Sequence, residues 1–476
     1  MSEGLEGRDE KLIASLARAV GAVNVLVEPA DMAPCLTDWR GRIHGSAQAV
    51  VLPATTAELA EAVRACVAHE CAIVPQGGNT GLCGGATPLS DGRSVVLSMA
   101  RMNRIRSIDP VDDTLVAEAG CTLASVQEAA ESVGRCFPLS LASEGSCQIG
   151  GNISTNAGGI HVLRYGSMRD LVLGLEVVLP DGRIWNGLRA LRKDNTGYDL
   201  KQLFIGAEGT LGIVSAAVLK LHPARGTRAT AWVDVPDPRA ALDLLGATKR
   251  LCGTRLEAFE LVGRKAQELV LEHIPGARAP FGVASEWSVL VELCDTDTQE
   301  RLDRLLEAAI GDALDSGCAR DAVVATSVAQ RRALWALREN VSEAQRLEGV
   351  SIKHDVSVPV SRIPDFLERA NDALKERWPD VRIVVFGHVG DGNLHFNLSK
   401  PDGRGNAAFI ADTSAANRIV HDLVAALGGS ISAEHGLGQL KREEIIRYKD
   451  ATELELMRAV KAAIDPMGRM NPGKVL

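Results

Sequence analysis

Hydrophobic and polar positions repeat in two registers along this chain, and the register changes mark its elements. Over residues 9–20, Leu12, Ile13, Leu16 and Val20 recur on one helical face. Residues 48–53 form a short apolar run that predicts a strand. Thr55 or Thr56 is placed to cap a helix reaching about residue 69, with Glu58 where a capping-box partner belongs. Strands are expected at 71–75, 94–98 and 114–118, and a helix at 122–132. A strand at 170–180 pairs with 183–186 across the Pro180-Asp-Gly182 turn. After Leu221-His-Pro223 the texture changes. Strands at 231–235, 288–293 and 323–325 alternate with helices at about 238–252, 298–313 and 329–347, the mark of a second, α+β domain. A strand at 351–358, a helix at 364–377, a hairpin of 382–386 with 394–398 around Asp391-Gly-Asn393, and a helix at 413–427 complete it. The expected divisions are 1–223, 224–425 and a closing segment 426–476. No internal repeat or low-complexity stretch is present.

Composition narrows the class. A hydrophobic fraction of 46% and a charged fraction of 24% are those of an ordinary globular protein. The net charge of -9 argues against nucleic-acid or anionic-membrane partners. The longest apolar run, 203–219, is interrupted by Glu208 and by glycines, so no membrane span is expected. The acidic first ten residues lack the apolar core of a signal peptide. The ten cysteines contain no Cys-x-x-Cys pair, so reduced thiols and a cytoplasmic location are expected.

The glycines carry the first chemistry. Gln76-Gly-Gly-Asn-Thr-Gly-Leu-Cys-Gly-Gly85 holds five glycines in ten residues, a loop able to turn successive main-chain N–H groups toward an anion. It ends in no Gly-Lys-Ser/Thr and is not a Gly-x-Gly-x-x-Gly fingerprint. The alternative is a mobile connecting loop. Ser143 to Gly159 alternates glycine with small hydroxyl and amide side chains, suited to an extended polar ligand. With Asp194-Asn-Thr-Gly-Tyr-Asp199 and Leu203-Phe-Ile-Gly-Ala-Glu-Gly-Thr-Leu-Gly212, these loops point to one long ligand containing a diphosphate.

A second chemistry lies in Phe386-Gly-His-Val-Gly-Asp-Gly-Asn-Leu-His395 and Ala433-Glu-His-Gly436. His388, His395 and Glu434 are a two-imidazole, one-carboxylate set that suits zinc, manganese or iron. Two satisfied polar histidines in a hairpin are the plainer reading of the spacing alone. His435 is a candidate general base, because imidazole titrates near neutrality. Arg338 and Ser342, four residues apart and so expected on one helical face, together with Lys353, offer donors for carboxylate oxygens. A solvated helix face is the competing reading.

Five motifs together resemble one family: Pro75-Gln-Gly-Gly-Asn-Thr-Gly81, Gly150-Gly-Asn-Ile-Ser-Thr-Asn-Ala-Gly-Gly159, Gly206-Ala-Glu-Gly-Thr-Leu-Gly212, His388-Val-Gly-Asp-Gly-Asn-Leu-His395 and Glu434-His-Gly436. The chain resembles the FAD-linked D-2-hydroxyacid dehydrogenases of the vanillyl-alcohol-oxidase/PCMH flavoprotein superfamily, over nearly its whole length. The resemblance implies an α+β architecture: a PCMH-type FAD-binding domain of two subdomains, a substrate (cap) domain with an antiparallel sheet, and a C-terminal segment returning to the flavin. It implies that Gln76, Gly77, Gly78, Asn79, Thr80 and Gly81 cradle the FAD pyrophosphate. Glu144, Gly150, Gly151, Asn152, Thr155, Asn156, Gly159, Glu208, Gly209 and Ile213 would follow the flavin and its ribityl chain, with Asn471 joining from the C-terminus.

The same resemblance puts a divalent metal, zinc being expected, on His388, His395 and Glu434. It makes His435 the base and Arg338, Ser342, Lys353 and Asn397 the substrate groups. The family carries threonine where Ser342 stands. No histidine lies in the pyrophosphate loop, so FAD is expected to bind non-covalently, His161 being the nearest candidate for a link. The implied reaction is metal-assisted proton abstraction with hydride transfer to FAD N5, converting D-2-hydroxyglutarate to 2-oxoglutarate; D-lactate or glycolate is the alternative substrate. An electron-transfer flavoprotein or a quinone is the expected acceptor, and the oligomeric state, homodimer included, stays open. Two readings from other classes are a metal-dependent hydrolase and a non-catalytic flavin carrier.

Overall fold

The computed structural model describes residues 9–401 and 403–476. The chain divides into two compact units. The first comprises the residues up to Gly159, Tyr165–Ala224 and Glu434–Leu476; the second comprises Ile160–Arg164 and Arg225–Ala433. The second unit thus runs beyond the expected boundary at 425, to Ala433.

The first unit has two principal sheets. In the smaller, Ala49–Val51, Ser94–Ser98 and Ala72–Gln76 pair in parallel, and Val25–Leu26 closes one edge antiparallel. The helix Glu10–Val20 turns Leu12, Leu16 and Val20 into this core, and Asp9 caps it by accepting from the main chain of Lys11 and Leu12. Thr55 caps the helix Thr56–Ala68. The free edge of Ala72–Gln76 is covered from the far end of the chain: Ile73 N–H donates to Arg469 O at 2.9 Å and Asn471 N–H to Ile73 O at 2.7 Å.

The larger sheet runs Ile105–Asp109, Thr114–Glu118, Ile213–Lys220, Val172–Val178, Ile184–Gly187, all antiparallel. Several details depart from the sequence pattern, the unexpected central strand Ile213–Lys220 and helix Pro29–Leu36 among them. Ser167 and Asp170 form a capping box around the turn Met168–Leu171, so the strand expected from 170 starts at Val172. The polar-rich strand Ile105–Asp109 was not expected. Inside the second glycine-rich stretch, Ile149–Ser154 is a short helix. Packing overrides poor helix propensity there: a Cβ on Gly150 would stand 2.7 Å from the Ala119 Cβ.

The second unit is an antiparallel sheet of eight strands. Its path runs Asp321–Val324, Thr227–Val235, Trp287–Asp295, Leu256–Gly263, Arg382–Gly387, Asn393–Ser399, Ser351–Ile352, with Asp355–Ser357 also paired to Asn393–Ser399. The central strand Leu256–Gly263 and the helix Arg264–His273 were not legible, because Glu257 and Glu260 interrupt the apolar run. The helix expected over 329–347 is two helices, Val328–Glu339 and Val341–Glu348, broken at Asn340. Arg338 and Ser342 therefore do not share one helical face. The strand expected over 351–358 is likewise interrupted at Lys353-His354.

Buried carboxylates in the first unit are paired. Glu118 is fully buried and accepts from Arg104 Nη2 at 2.9 Å and Arg106 Nε at 3.2 Å; Glu176 accepts from Arg106 Nη2 at 3.1 Å and Thr56 Oγ1 at 2.6 Å. Burial pushes the Glu118 carboxyl up, but the two arginines and the Arg104 main-chain N–H outweigh it and hold it below the ordinary 4.5. Its stabilisation is therefore complete above 4.5 and is lost as the pH falls through the depressed value. Glu118→Gln should destabilise the first unit by about 2 kcal/mol at pH 7, roughly 4–8 °C in its unfolding midpoint. The gap between variant and wild type should narrow in melts at pH 3.5; a gap that widens there would contradict this assignment.

Candidate functional site

The strand Ala72–Gln76 delivers its end into a cleft in the first unit. Gln76 to Gly81, Gly150 to Asn152, Thr155, Glu208, Gly209, Ile213 and His435 all line it. Among the described residues, the main-chain N–H groups of Gly77, Gly78, Asn79, Thr80 and Gly81 have no acceptor. Five consecutive N–H groups without a protein acceptor, in half-buried to exposed backbone lining the cleft, make this loop suit an anion as a nest does. Its side chains face the other way and anchor it: Gln76 Nε2 donates to Cys35 O and Ala86 O at 2.9 Å each, and Asn79 Nδ2 donates to Pro34 O at 3.1 Å and Thr37 O at 2.8 Å. Gln148, which sequence reading passed over, also lines the cleft, and its buried Oε1 has no partner among the described residues. The cleft thus offers a polar ligand both donors and an acceptor.

Not every expected residue reaches the cleft lining. Glu144 accepts from Ser140 Oγ at 2.7 Å and the Leu141 N–H at 3.3 Å. Asn156 Oδ1 accepts from Ser167 Oγ and the Arg169 N–H, which fixes the turn into Met168–Leu171. Gly159 N–H donates to Glu434 Oε1 at 2.6 Å. Asn471 is buried against the cleft lining, its Nδ2 donating to Gly85 O at 2.9 Å and Glu208 O at 2.7 Å, and its buried Oδ1 has no partner among the described residues. His161 falls in the second unit, with Arg225 Nη2 at 3.0 Å from its Nδ1 and Glu257 at 3.9 Å from its Nε2.

The turn after His435 is held to this cleft by one carboxylate. Glu208 accepts from the N–H groups of Leu437 at 2.7 Å and Gly438 at 2.8 Å. Burial raises its carboxyl above the ordinary range against the pull of those two donors. Gln439 Nε2 adds bonds to Gly84 O at 3.0 Å and Thr87 O at 2.9 Å. The loop bearing His435 is therefore stapled to the nest loop.

In the second unit the hairpin brings two imidazoles together. His395 lies on the strand Asn393–Ser399, opposite Phe386, whereas His388 opens the loop rather than occupying the facing strand. Their ring centroids are 6.0 Å apart. The loop requires glycine at 392, where φ is +95° and a Cβ would meet Val358 O at 2.4 Å. Glu260, from the strand the sequence pattern missed, accepts from His388 Nδ1 at 2.6 Å and from Arg338 Nε at 2.8 Å. Burial alone would raise this carboxyl; His388 and Arg338 bring it down to about 2.

Arg338 is only 7% exposed, so it is not part of a solvated face. Its guanidinium lies over the Phe386 ring at 4.8 Å, and its two terminal nitrogens have no acceptor among the described residues. Asn397 is buried, donating to Gln345 Oε1 at 2.8 Å and accepting from the His354 N–H at 3.1 Å. Ser342 and Lys353 are exposed. A separate group, Glu272, His273 and Glu348, also gathers its ligand atoms within 4.8 Å, but Glu348 is already engaged by Arg382. The signal for Glu260 was present in the sequence: a carboxylate inside an apolar strand has to be paired.

Nest and cleft together suit an extended ligand that carries a phosphate group. Residues 47–187 match the FAD binding domain, and residues 225–475 match the C-terminal domain of FAD linked oxidases. The D-2-hydroxyglutarate dehydrogenase of Xanthomonas citri pv. viticola is 39% identical over 463 residues, 97% of this chain and 96% of that one. The mitochondrial enzyme of the same name from Bos taurus is 40% identical over 469 residues, 98% of this chain and 83% of that one. Among solved structures, p-cresol methylhydroxylase with substrate bound superposes with a TM-score of 0.76 at 18% identity, covering 98% of each chain. Alkyldihydroxyacetonephosphate synthase gives 0.75 at 17%, covering 98% of this chain and 86% of that one. The chain belongs to the FAD-linked oxidase family that includes these D-2-hydroxyglutarate dehydrogenases. It is an FAD-dependent oxidoreductase, and the hydrolase reading falls with that finding.

Two glycines separate folding from cofactor binding. A Cβ on Gly151 meets nothing within 4 Å, whereas one on Gly78 would stand 2.0 Å from Ser146 O. Gly151→Leu should leave the circular-dichroism melt within a few degrees of flavin-free wild type yet lower the flavin absorbance per protein about tenfold or more. Gly78→Ala should lower both. Full flavin content in Gly151→Leu would remove Gly151 from the cofactor site.

Proposed function

We propose that this enzyme oxidises a D-2-hydroxyacid, D-2-hydroxyglutarate to 2-oxoglutarate, with non-covalently held FAD and a divalent metal, zinc by its donor set. The supporting observation is Arg338: a buried guanidinium, fixed through Nε, that keeps two terminal nitrogens for a carboxylate beside a pair of imidazoles. The relatives' names favour the five-carbon dicarboxylate over D-lactate or glycolate.

When bound, FAD supplies the hydride acceptor and the metal supplies Lewis acidity toward the substrate hydroxyl. His388 and His395 are the imidazole ligands, and Glu434 is the carboxylate that the sequence motif contributes. His388 presents Nε2, because Nδ1 is committed to Glu260. His435 takes the hydroxyl proton as the C2 hydride departs, leaving the 2-oxoacid. Arg338 binds a substrate carboxylate, with Lys353, Ser342 and Asn397 as further polar groups. An electron-transfer flavoprotein or a quinone reoxidises the flavin. Among the described residues no helix is long and apolar enough to cross a membrane.

Anaerobic mixing tests this directly. D-2-hydroxyglutarate should bleach the visible flavin bands, faster than D-lactate or glycolate and more slowly after chelation. His435→Ala should stay yellow but lose about 10²–10⁴-fold in the bleaching rate. No bleaching of the wild-type protein by any D-2-hydroxyacid would reject the proposal.

A further inference from the structure

One carboxylate in the second unit serves two side chains of different function. Glu260 sits in the central strand Leu256–Gly263 and is completely buried. Its Oε1 accepts from His388 Nδ1 at 2.6 Å, and its Oε2 accepts from Arg338 Nε at 2.8 Å. Phe386 completes the support from the neighbouring strand. Its ring carries the Arg338 guanidinium at 4.8 Å and packs against the His395 ring at 4.8 Å. Neither oxygen of Glu260 can be exchanged for a donor without orphaning one partner, because both partners donate.

We propose that Glu260 is a positioning residue that sets the His388 tautomer and the Arg338 fork together, so that metal affinity and carboxylate recognition depend on one group. The inference rests on His388 as a metal ligand and Arg338 as a carboxylate binder. A carboxylate behind a ligating imidazole fixes Nδ1 as the protonated nitrogen, turns Nε2 outward and raises its basicity. The same carboxylate on Nε of an arginine stops the guanidinium from rotating and leaves its terminal pair for a bidentate contact. Burial of all three groups makes the arrangement rigid, since an unpaired member would bear the full desolvation penalty.

Glu260→Gln separates this role from a merely structural one. The amide has one acceptor oxygen, so it serves one donor and opposes the other. In the FAD-loaded variant, zinc affinity measured by competition with a chromophoric chelator should weaken 10–100-fold. KM for D-2-hydroxyglutarate should rise at least tenfold, and by more than kcat falls. Flavin absorbance should match wild type, because FAD belongs to the other unit. Should Glu260→Gln not accumulate as folded protein, Glu260→Asp, which keeps the charge but is too short to span both donors, is read by the same two measurements. A folded variant with zinc affinity and KM both within threefold of wild type would overturn the inference. Absence of wild-type zinc binding or of wild-type bleaching would instead count against the proposed function itself, so the two failures are distinguishable.

Discussion

A run of main-chain donors kept open is the constraint on which the first unit depends. From Gly77 to Gly81 the N–H groups of half-buried to exposed backbone make no hydrogen bond to the described residues and face the cleft. A loop of that kind collapses unless it is held from behind. The holding is done by side-chain amides on carbonyls: Gln76 on Cys35 and Ala86, Asn79 on Pro34 and Thr37. Gly78 lets the loop lie flat on the backbone of Ser146, where any Cβ would collide. The C-terminal segment then covers the sheet edge at Ile73 and, through Asn471, ties Gly85 to Glu208. Preorganisation of this kind means that the cofactor meets a site whose ordering entropy was lost during folding.

The second unit obeys a related rule with charges in place of amides. Its central strand carries Glu257 and Glu260 among apolar neighbours, and each is matched by cations from other elements: Arg225 for the first, Arg338 and His388 for the second. Glu292, one strand over, is held by Trp335 Nε1 and Thr230 Oγ1, both at 2.7 Å. Such pairs add little net stability over apolar packing, but a lost partner is costly. Their effect is to specify geometry. The arginine that would read a carboxylate and the imidazole that would face a metal are set by the sheet interior and not by surface loops.

Much of this was legible along the chain. Clustered glycines announced a nest, and a reader needs only their density and the missing Walker and dinucleotide signatures to infer it. Up to residue 252 the elements whose apolar positions repeat cleanly were recovered, while Ile105–Asp109, Ile149–Ser154 and Ile213–Lys220 were not expected. In the second unit the failures fall where polar residues are buried or a helix breaks. Leu256–Gly263 was missed because two glutamates mask its apolar alternation. The break at Asn340 was missed because the apolar positions continue across it, and with it the separation of Arg338 from Ser342.

Local sequence by itself determined the class of chemistry: glycine loops for a diphosphate ligand, two imidazoles in one hairpin, a Glu-His pair beyond them. These signals are local because a loop's freedom and a ligand's donor atoms are properties of single residues. Only tertiary structure decided that Arg338 is buried with its Nε on Glu260, that Glu208 spends its carboxylate on the turn beside His435, and that Glu260 stands behind both His388 and Arg338. Each of those contacts joins residues dozens to hundreds of positions apart. Their energies come from excluding water around paired charges and donors, a property of the packed interior that no stretch of sequence carries alone.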